Sequence, residues 1–188
     1  MPPWGFEKFV KDWIDKAESY RDMGDLRQVF DKFISLYVAY NAIYAEVQRM
    51  MLEDGKIKEK HCGDKMAAVY HISKYLGYNE LADEFRKHNN ELDEIKSIIR
   101  SHDFILHSRG ADRLDLRKKD EALLKEIESE QSESFSEAVL LAIYLTRCNL
   151  FHGAKAYVDD QERVLLPMST MLRTVIDLAL PKLHRETA

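Results

Sequence analysis

The sequence predicts an all-α fold, and three observations support that prediction. Its 188 residues include only 7 glycines and 4 prolines, and the prolines stand at positions 2, 3, 167 and 181, so residues 4–166 contain no proline to break a helix. No stretch alternates regularly between apolar and polar residues, as a half-buried strand would. Apolar residues instead recur every three or four positions, which is the spacing of one helix face.

Three helices are predicted in the first half of the chain. The first covers residues 6–21 and ends near Gly24, and the second covers residues 25–53. The second has the clearest pattern, and its apolar stripe comprises Phe30, Phe33, Ile34, Tyr37, Tyr44, Val47 and Met51, with Asn41 falling on the same stripe. The third covers residues 64–76, where the Asp64 carboxylate would accept a hydrogen bond from a first-turn N–H group, and Gly77 ends it.

The second half begins with an amphipathic helix over residues 79–100. The pattern then dissolves into a loop, of which residues 107–119 are locally +3, and residues 120–137 carry a charge of −6 as a surface helix with its connection. Residues 134–152 are apolar nearly all round, which places that helix in the middle of a bundle, and Gly153 closes it. A last helix covers residues 161–183 with a bend at Pro167. The expected architecture is one domain over residues 1–188, an antiparallel bundle of about six helices.

The composition excludes several classes of function. A net charge of −5 argues against a broad nonspecific nucleic-acid surface, since such binding depends on neutralising phosphates. Two cysteines without partners at zinc spacing indicate a reduced cytosolic protein with no structural zinc, and no metal or cofactor is expected. The longest purely apolar run has eight residues, residues 138–145, and the N-terminus lacks a secretory pattern, so we expect a cytoplasmic protein that does not enter a membrane.

The stretch of residues 145–155 is where chemistry is expected, because Arg147, Asn149 and His152 interrupt an otherwise apolar helix. A buried guanidinium is costly without a partner, so Arg147 should pair with an acid or open onto a cleft or a subunit interface. On an ideal helix His152 lies about 140° around from Arg147, whereas Asn149 and His152 share a face. The alternative is structural, because Arg and His near a helix C-terminus often only bind exposed carbonyls and complement the helix dipole.

Other residues are weaker candidates. Asn41 is either a core amide bonded to a neighbouring helix or a supporting site residue. Cys148 is either a small buried side chain or a nucleophile with His152 as its base, since the two are four residues apart. A basic group could contact an RNA backbone, although such runs are usually solvated surface; it comprises Arg109, Arg113, Arg117, Lys118 and Lys119.

Two segments resemble the HEPN superfamily of small α-helical domains. Residues 147–155, Arg-Cys-Asn-Leu-Phe-His-Gly-Ala-Lys, resemble the superfamily motif of an Arg followed after four to six residues by a His at the end of a late helix. Residues 33–44 are similar to the aromatic-rich early helix of these domains. The order and separation of the two segments match the family architecture over most of the chain.

The resemblance implies a metal-independent endoribonuclease, toxin-like or defence-linked, that acts as a homodimer with the motifs of two subunits in one cleft. His152 would be the general acid/base, Arg147 would bind the scissile phosphate, and Asn149 and Cys148 would support them. The partners it implies are a second copy, an RNA substrate and an antitoxin or nucleotidyltransferase. Active members commonly carry Asn, Asp or His where this chain has Cys148. The alternative is therefore a noncatalytic HEPN-like module for interaction, RNA binding or nucleotide-linked regulation.

Overall fold

The computed structural model describes residues 5–20, 25–101, 104–107, 112–151 and 160–187. Within these ranges the chain forms helices and no strand, so the all-α prediction is confirmed. The eight α-helices found there are α1 (Phe6–Glu18), α2 (Leu26–Glu53), α3 (Ile72–Leu76), α4 (Tyr78–Arg86), α5 (Asn89–Ser101), α6 (Arg113–Ile127), α7 (Ser132–Phe151) and α8 (Asp160–Thr187).

The two 28-residue helices, α2 and α8, pack against each other and organise the bundle. Helix α1 packs on α2, α5 packs on α8, and α7 contacts α4, α6 and α8. One hydrophobic cluster joins these helices, and it includes Val10, Phe33, Ile72, Phe85, Ile95, Leu123, Ile143 and Val175. Since burial of apolar surface is the main favourable contribution to folding, this cluster holds the helices together.

Helix α2 forms as the sequence pattern predicts. Its N-cap is Asp25, whose carboxylate accepts a hydrogen bond from the Arg27 backbone N–H at 2.9 Å. An aromatic ladder runs along its buried face, with ring centroids 5.8 Å apart between Tyr37 and Tyr40 and 5.1 Å apart between Tyr40 and Tyr44. Both pairs are edge-to-face, the arrangement that aromatic quadrupoles favour.

Asn41 is exposed, so the expectation that it lies on the buried stripe is wrong. The centre of that stripe runs through Phe33, Tyr40 and Val47. At 100° per residue, Asn41 lies about 100° around the helix from Tyr40, which is the edge of the stripe rather than its centre. A polar side chain at that edge remains in water and needs no partner in the core.

The predicted helix over residues 79–100 is two helices, because α4 ends at Arg86 and α5 begins at Asn89. The predicted loop is also shorter than expected: α6 already begins at Arg113, where the Asp112 carboxylate accepts a hydrogen bond from the Asp115 N–H at 2.9 Å. The break between α4 and α5 falls at Lys87 and His88, without a proline or glycine, which is why the periodicity alone did not locate it.

The segment before α3 is a π-helix, Met66–His71, which continues directly into α3. A π-turn shifts backbone bonding from the fourth to the fifth preceding carbonyl, and such turns occur frequently at functional sites. The Tyr40 hydroxyl donates to the Ala68 carbonyl within this segment, with the oxygens 2.5 Å apart. Tyr40 therefore ties the π-helix to α2.

Helix α8 contains one stretch, Glu162–Arg185, that is long and apolar enough to cross a bilayer by length and composition. Of its most apolar window, 56% is buried inside the fold. A core helix meets the same criterion, so this feature is weak support for a membrane span.

Candidate functional site

Arg147 lies near the C-terminal end of α7 and faces α2 and the start of the π-helix. Its Nη1 is 3.5 Å from Asp64 Oδ2, and its Cζ is 5.4 Å from the centroid of the Tyr37 ring. The expectation that this guanidinium pairs with an acid is confirmed. The Tyr37 ring adds a cation–π contact, which is a second interaction that holds the guanidinium in position.

Asp64 is itself held in place by Tyr44. The Tyr44 hydroxyl donates to Asp64 Oδ1 at 2.6 Å, a distance typical of a strong hydrogen bond to a carboxylate. Asp64 thus receives bonds from a tyrosine and an arginine rather than from the first-turn N–H group expected from the sequence. We call Tyr37, Tyr44, Asp64 and Arg147 the Arg147 cluster.

The pKa values within the Arg147 cluster favour one charge state. Burial raises the pKa of Tyr44 far above its ordinary value, and the neighbouring Tyr37 and Asp64 raise it further. Burial likewise raises the pKa of Tyr37, although the Arg147 guanidinium opposes that shift. Burial lowers the pKa of Arg147, but Tyr37, Cys148 and Asp64 outweigh burial and raise it overall. The two phenols therefore stay neutral and the guanidinium stays charged throughout the physiological range.

The geometry leaves the guanidinium able to bind an oxyanion. The Arg147 side chain is 29% exposed, and its contact to Asp64 is long for a hydrogen bond. Asp64 is 45% exposed, so solvent screens this ion pair and keeps it weak. A partly exposed guanidinium can bind a phosphate oxygen, since charge-assisted hydrogen bonds from arginine to phosphate are strong.

Cys148 is half-buried beside the cluster and acts on two of its neighbours. It contributes to the pKa shifts of both Tyr144 and Arg147, and burial together with Cys148 raises the pKa of Tyr144 to about 12. The thiol is therefore close to the guanidinium. The interpretation of Cys148 as a nucleophile with His152 stays a prediction, because His152 lies outside the described residues.

Asn149 lies elsewhere on α7 and has a structural partner. Its Nδ2 donates to the carbonyl oxygens of Leu106 at 2.7 Å and Ile105 at 3.3 Å, and its side chain is buried. The same segment is held from the other side by Asp120, whose carboxylate accepts from the backbone N–H groups of Leu106 and His107. Asn149 thus anchors residues 104–107 rather than contacting Arg147.

The described part of the basic group lies on a helix rather than in a loop. Arg113, Arg117, Lys118 and Lys119 belong to α6, and Lys119 pairs with Asp115 at 2.8 Å. At 100° per residue, Arg117, Lys118 and Lys119 point in three different directions. They do not form one basic face. Arg109 lies outside the described residues.

No group of three or more His, Cys, Asp or Glu side chains that could hold a metal ion occurs in the ranges that the structure describes. Comparison with known proteins gives no match: no family model, no curated protein and no solved structure is similar to this chain.

Three residues of the Arg147 cluster, Tyr37, Tyr44 and Asp64, were not predicted from the sequence as site residues. Tyr37 and Tyr44 are seven residues apart on α2 and hence on one face, which was predicted to be apolar core. The Tyr44 hydroxyl is the signal that could have been used, since a buried tyrosine hydroxyl usually needs a partner and this one binds Asp64. Asp64 is 83 residues from Arg147 along the chain, a pairing that helical spacing cannot indicate.

Proposed function

We propose that the protein is a metal-independent endoribonuclease of HEPN type that works as a homodimer. The observation that supports this proposal is the orientation of Arg147, a partly exposed guanidinium held by the Tyr37 ring and by Asp64 at the end of α7. Arg147 would bind the scissile phosphate. His152, five residues further on, would take the proton from the ribose 2′-hydroxyl and return one to the leaving oxygen.

Asp64 and Tyr44 would serve as positioning residues. The Asp64 carboxylate would hold one side of the guanidinium, and the Tyr44 hydroxyl would keep the carboxylate from rotating away. When the 2′-hydroxyl attacks, charge builds on the phosphate, and a preorganised cation stabilises that charge without moving. Neither step needs a metal ion.

The proposal is tested by incubating the purified protein with single-stranded RNA in the presence of a chelator. We expect products with a 2′,3′-cyclic phosphate and a free 5′-hydroxyl, and no cleavage of the matching DNA, which lacks the nucleophile. His152→Ala should lose about 10²- to 10⁴-fold in rate, as is typical when a general acid/base is removed. His61→Ala, which changes an exposed histidine, is the matched control.

Arg147→Lys keeps the charge but loses the planar fork, so the rate should also fall sharply. The control is Arg27→Lys, at an exposed position of α2. Cys148→Asn supplies a polar residue directly after the arginine and should maintain or raise the rate. Cleavage that survives both His152→Ala and Arg147→Ala would come from another site or a contaminant, and the proposal would then be wrong.

One observation favours a second candidate, a noncatalytic module that binds RNA or a regulatory partner. Asp64 already faces Arg147, which reduces the positive charge available to a phosphate. Saturable RNA binding without cleavage, across substrates of varied sequence and structure, would support this candidate over the enzyme. Asp64→Asn should then strengthen RNA binding, because it removes a competing negative charge.

A further inference from the structure

A cleft lies between α1, α2, α5 and α8, and no residue of the Arg147 cluster lines it. Its volume is about 720 Å³, within the range of small-molecule sites. Leu36, Leu166 and Pro167 give it apolar walls, and the remaining lining residues are mostly polar or charged. We call it the α8 cleft.

A buried hydroxyl lines the α8 cleft without a hydrogen bond. Ser169 is 5% exposed, and its Oγ has no partner among the residues that the structure describes. A serine in a helix usually satisfies its hydroxyl, and an unsatisfied buried polar group costs stability. A ligand that enters the cleft with a hydrogen-bonding group could therefore satisfy the Ser169 hydroxyl.

Carboxylates outnumber cations in the lining of the α8 cleft. The lining contains Glu18, Glu91, Glu94 and Asp177 against Lys32 and Arg173. The Arg173 guanidinium binds both Asp177, at 2.8 Å, and Glu18, while Arg163, outside the lining, binds Glu94 at 2.7 Å. Glu91 is half-buried and has no ion pair with any described residue. The cleft thus carries a net negative charge.

His88 and Thr174 lie in the same lining and bind each other, with His88 Nε2 and Thr174 Oγ1 3.1 Å apart. The Thr174 hydroxyl also lies 3.0 Å from the Thr170 carbonyl oxygen. The Glu91 carboxylate and the Ser169 hydroxyl are the groups that offer lone pairs to a ligand rich in N–H groups.

We propose that the α8 cleft binds a small organic cation of the alkyl polyamine class. An ammonium group would pair with the Glu91 carboxylate, Ser169 Oγ would accept from an N–H, and the methylene spacers would lie on Leu166 and Pro167. This proposal is independent of the proposed ribonuclease activity, because no residue of the Arg147 cluster lines the cleft.

The test is calorimetric titration of the full chain with spermidine at fixed ionic strength. We expect saturable binding of spermidine and none of glutarate, a flexible dianion of comparable size. Glu91→Gln should weaken spermidine binding about tenfold, since it removes a charged hydrogen-bond acceptor, and Ser169→Ala should weaken it a few-fold. Glu91→Asp keeps the charge and should retain most of the affinity.

The matched control is Glu80→Gln, which removes an exposed carboxylate outside the cleft and should leave spermidine affinity unchanged. Equal losses for Glu80→Gln and Glu91→Gln would mean nonspecific attraction to an acidic protein, and the proposal would fail. It would fail equally if the parent showed no saturable spermidine binding, or if glutarate bound in its place. Thermal melts of each variant verify that it is folded before titration.

Discussion

At the scale of single residues, α7 carries two polar side chains close together in sequence with different environments. Arg147 reaches Asp64 across the surface, whereas Asn149 is buried and bonds the backbone of residues 105 and 106. Two residues on a helix are about 200° apart, so each faces a different neighbour. From the sequence we expected Arg147 to pair with an acid or to open onto a cleft or a subunit interface, and no partner was predicted for Asn149. Helical spacing could not identify either partner, because Asp64 lies 83 residues from Arg147 and Leu106 lies 43 residues from Asn149 along the chain.

The bonding of Asn149 predicts a loss of stability when its amide is removed. Asn149→Ala deprives two carbonyl oxygens of their donor, and we expect the free energy of unfolding to fall by about 1–3 kcal/mol. Urea denaturation followed by circular dichroism measures it. Asn41→Ala is the matched control, because Asn41 is exposed and should change stability by no more than about 0.5 kcal/mol. Equal effects of the two substitutions would contradict the anchoring role of Asn149.

At the scale of elements, the apolar periodicity located the long helices and missed the local departures from ideal geometry. Helices α2 and α8 fall close to their predicted ranges because each has a continuous buried face. The π-helix of Met66–His71 leaves no such mark, since its residue types also suit an ordinary α-helix. Its geometry depends on tertiary contacts, such as the bond from Tyr40 to the Ala68 carbonyl.

The π-helix also contains a buried histidine that predicts a dependence of stability on pH. His71 is 4% exposed, and its Nδ1 has no hydrogen-bond partner in the described part of the chain. Burial lowers the pKa of His71 below its ordinary 6.5, and the nearby His61 and Lys74 lower it further. The unfolded chain therefore binds a proton at a higher pH than the folded chain does. The free energy of unfolding should fall as the pH drops below about 6.5.

His71→Gln removes the titrating group and should make that fall shallower. Chemical denaturation of the parent and the variant at pH 7.5 and pH 5.5 compares the two slopes. The comparison uses the change in the free energy of unfolding between the two pH values. Glutamine packs differently from imidazole in the buried site, and this shifts the variant's stability at both pH values. If the parent and the variant lose the same free energy of unfolding between pH 7.5 and pH 5.5, His71 is not the source of the pH dependence.

At the scale of the whole molecule, α7 leaves part of its apolar surface uncovered. The sequence predicted burial nearly all round, yet Leu141, Tyr144, Leu145 and Cys148 are only partly buried. These positions are separated by three or four residues and therefore form one stripe. The stripe passes beside Arg147, which is three residues from Tyr144 and contributes to the pKa shift of that tyrosine. If the protein acts as the proposed homodimer, a second copy placed on this stripe would bring two Arg147 clusters together.

The last prediction concerns that assembly. Light scattering of the parent at micromolar concentration should give twice the monomer mass, because an apolar stripe beside a charged cluster suits a symmetric interface between two copies. Leu141→Glu places a charge on the stripe and should shift the protein to monomer while circular dichroism shows the same helical content. Leu114→Glu is the matched control: Leu114 is 61% exposed on α6, and its substitution should leave the dimer intact. In RNA cleavage assays the Leu141→Glu monomer should be much less active than the Leu114→Glu dimer, because the Arg147 clusters of two copies no longer share a cleft. A parent that stays monomeric over the whole micromolar range, or a Leu141→Glu variant that stays dimeric, would mean that this stripe is not the interface.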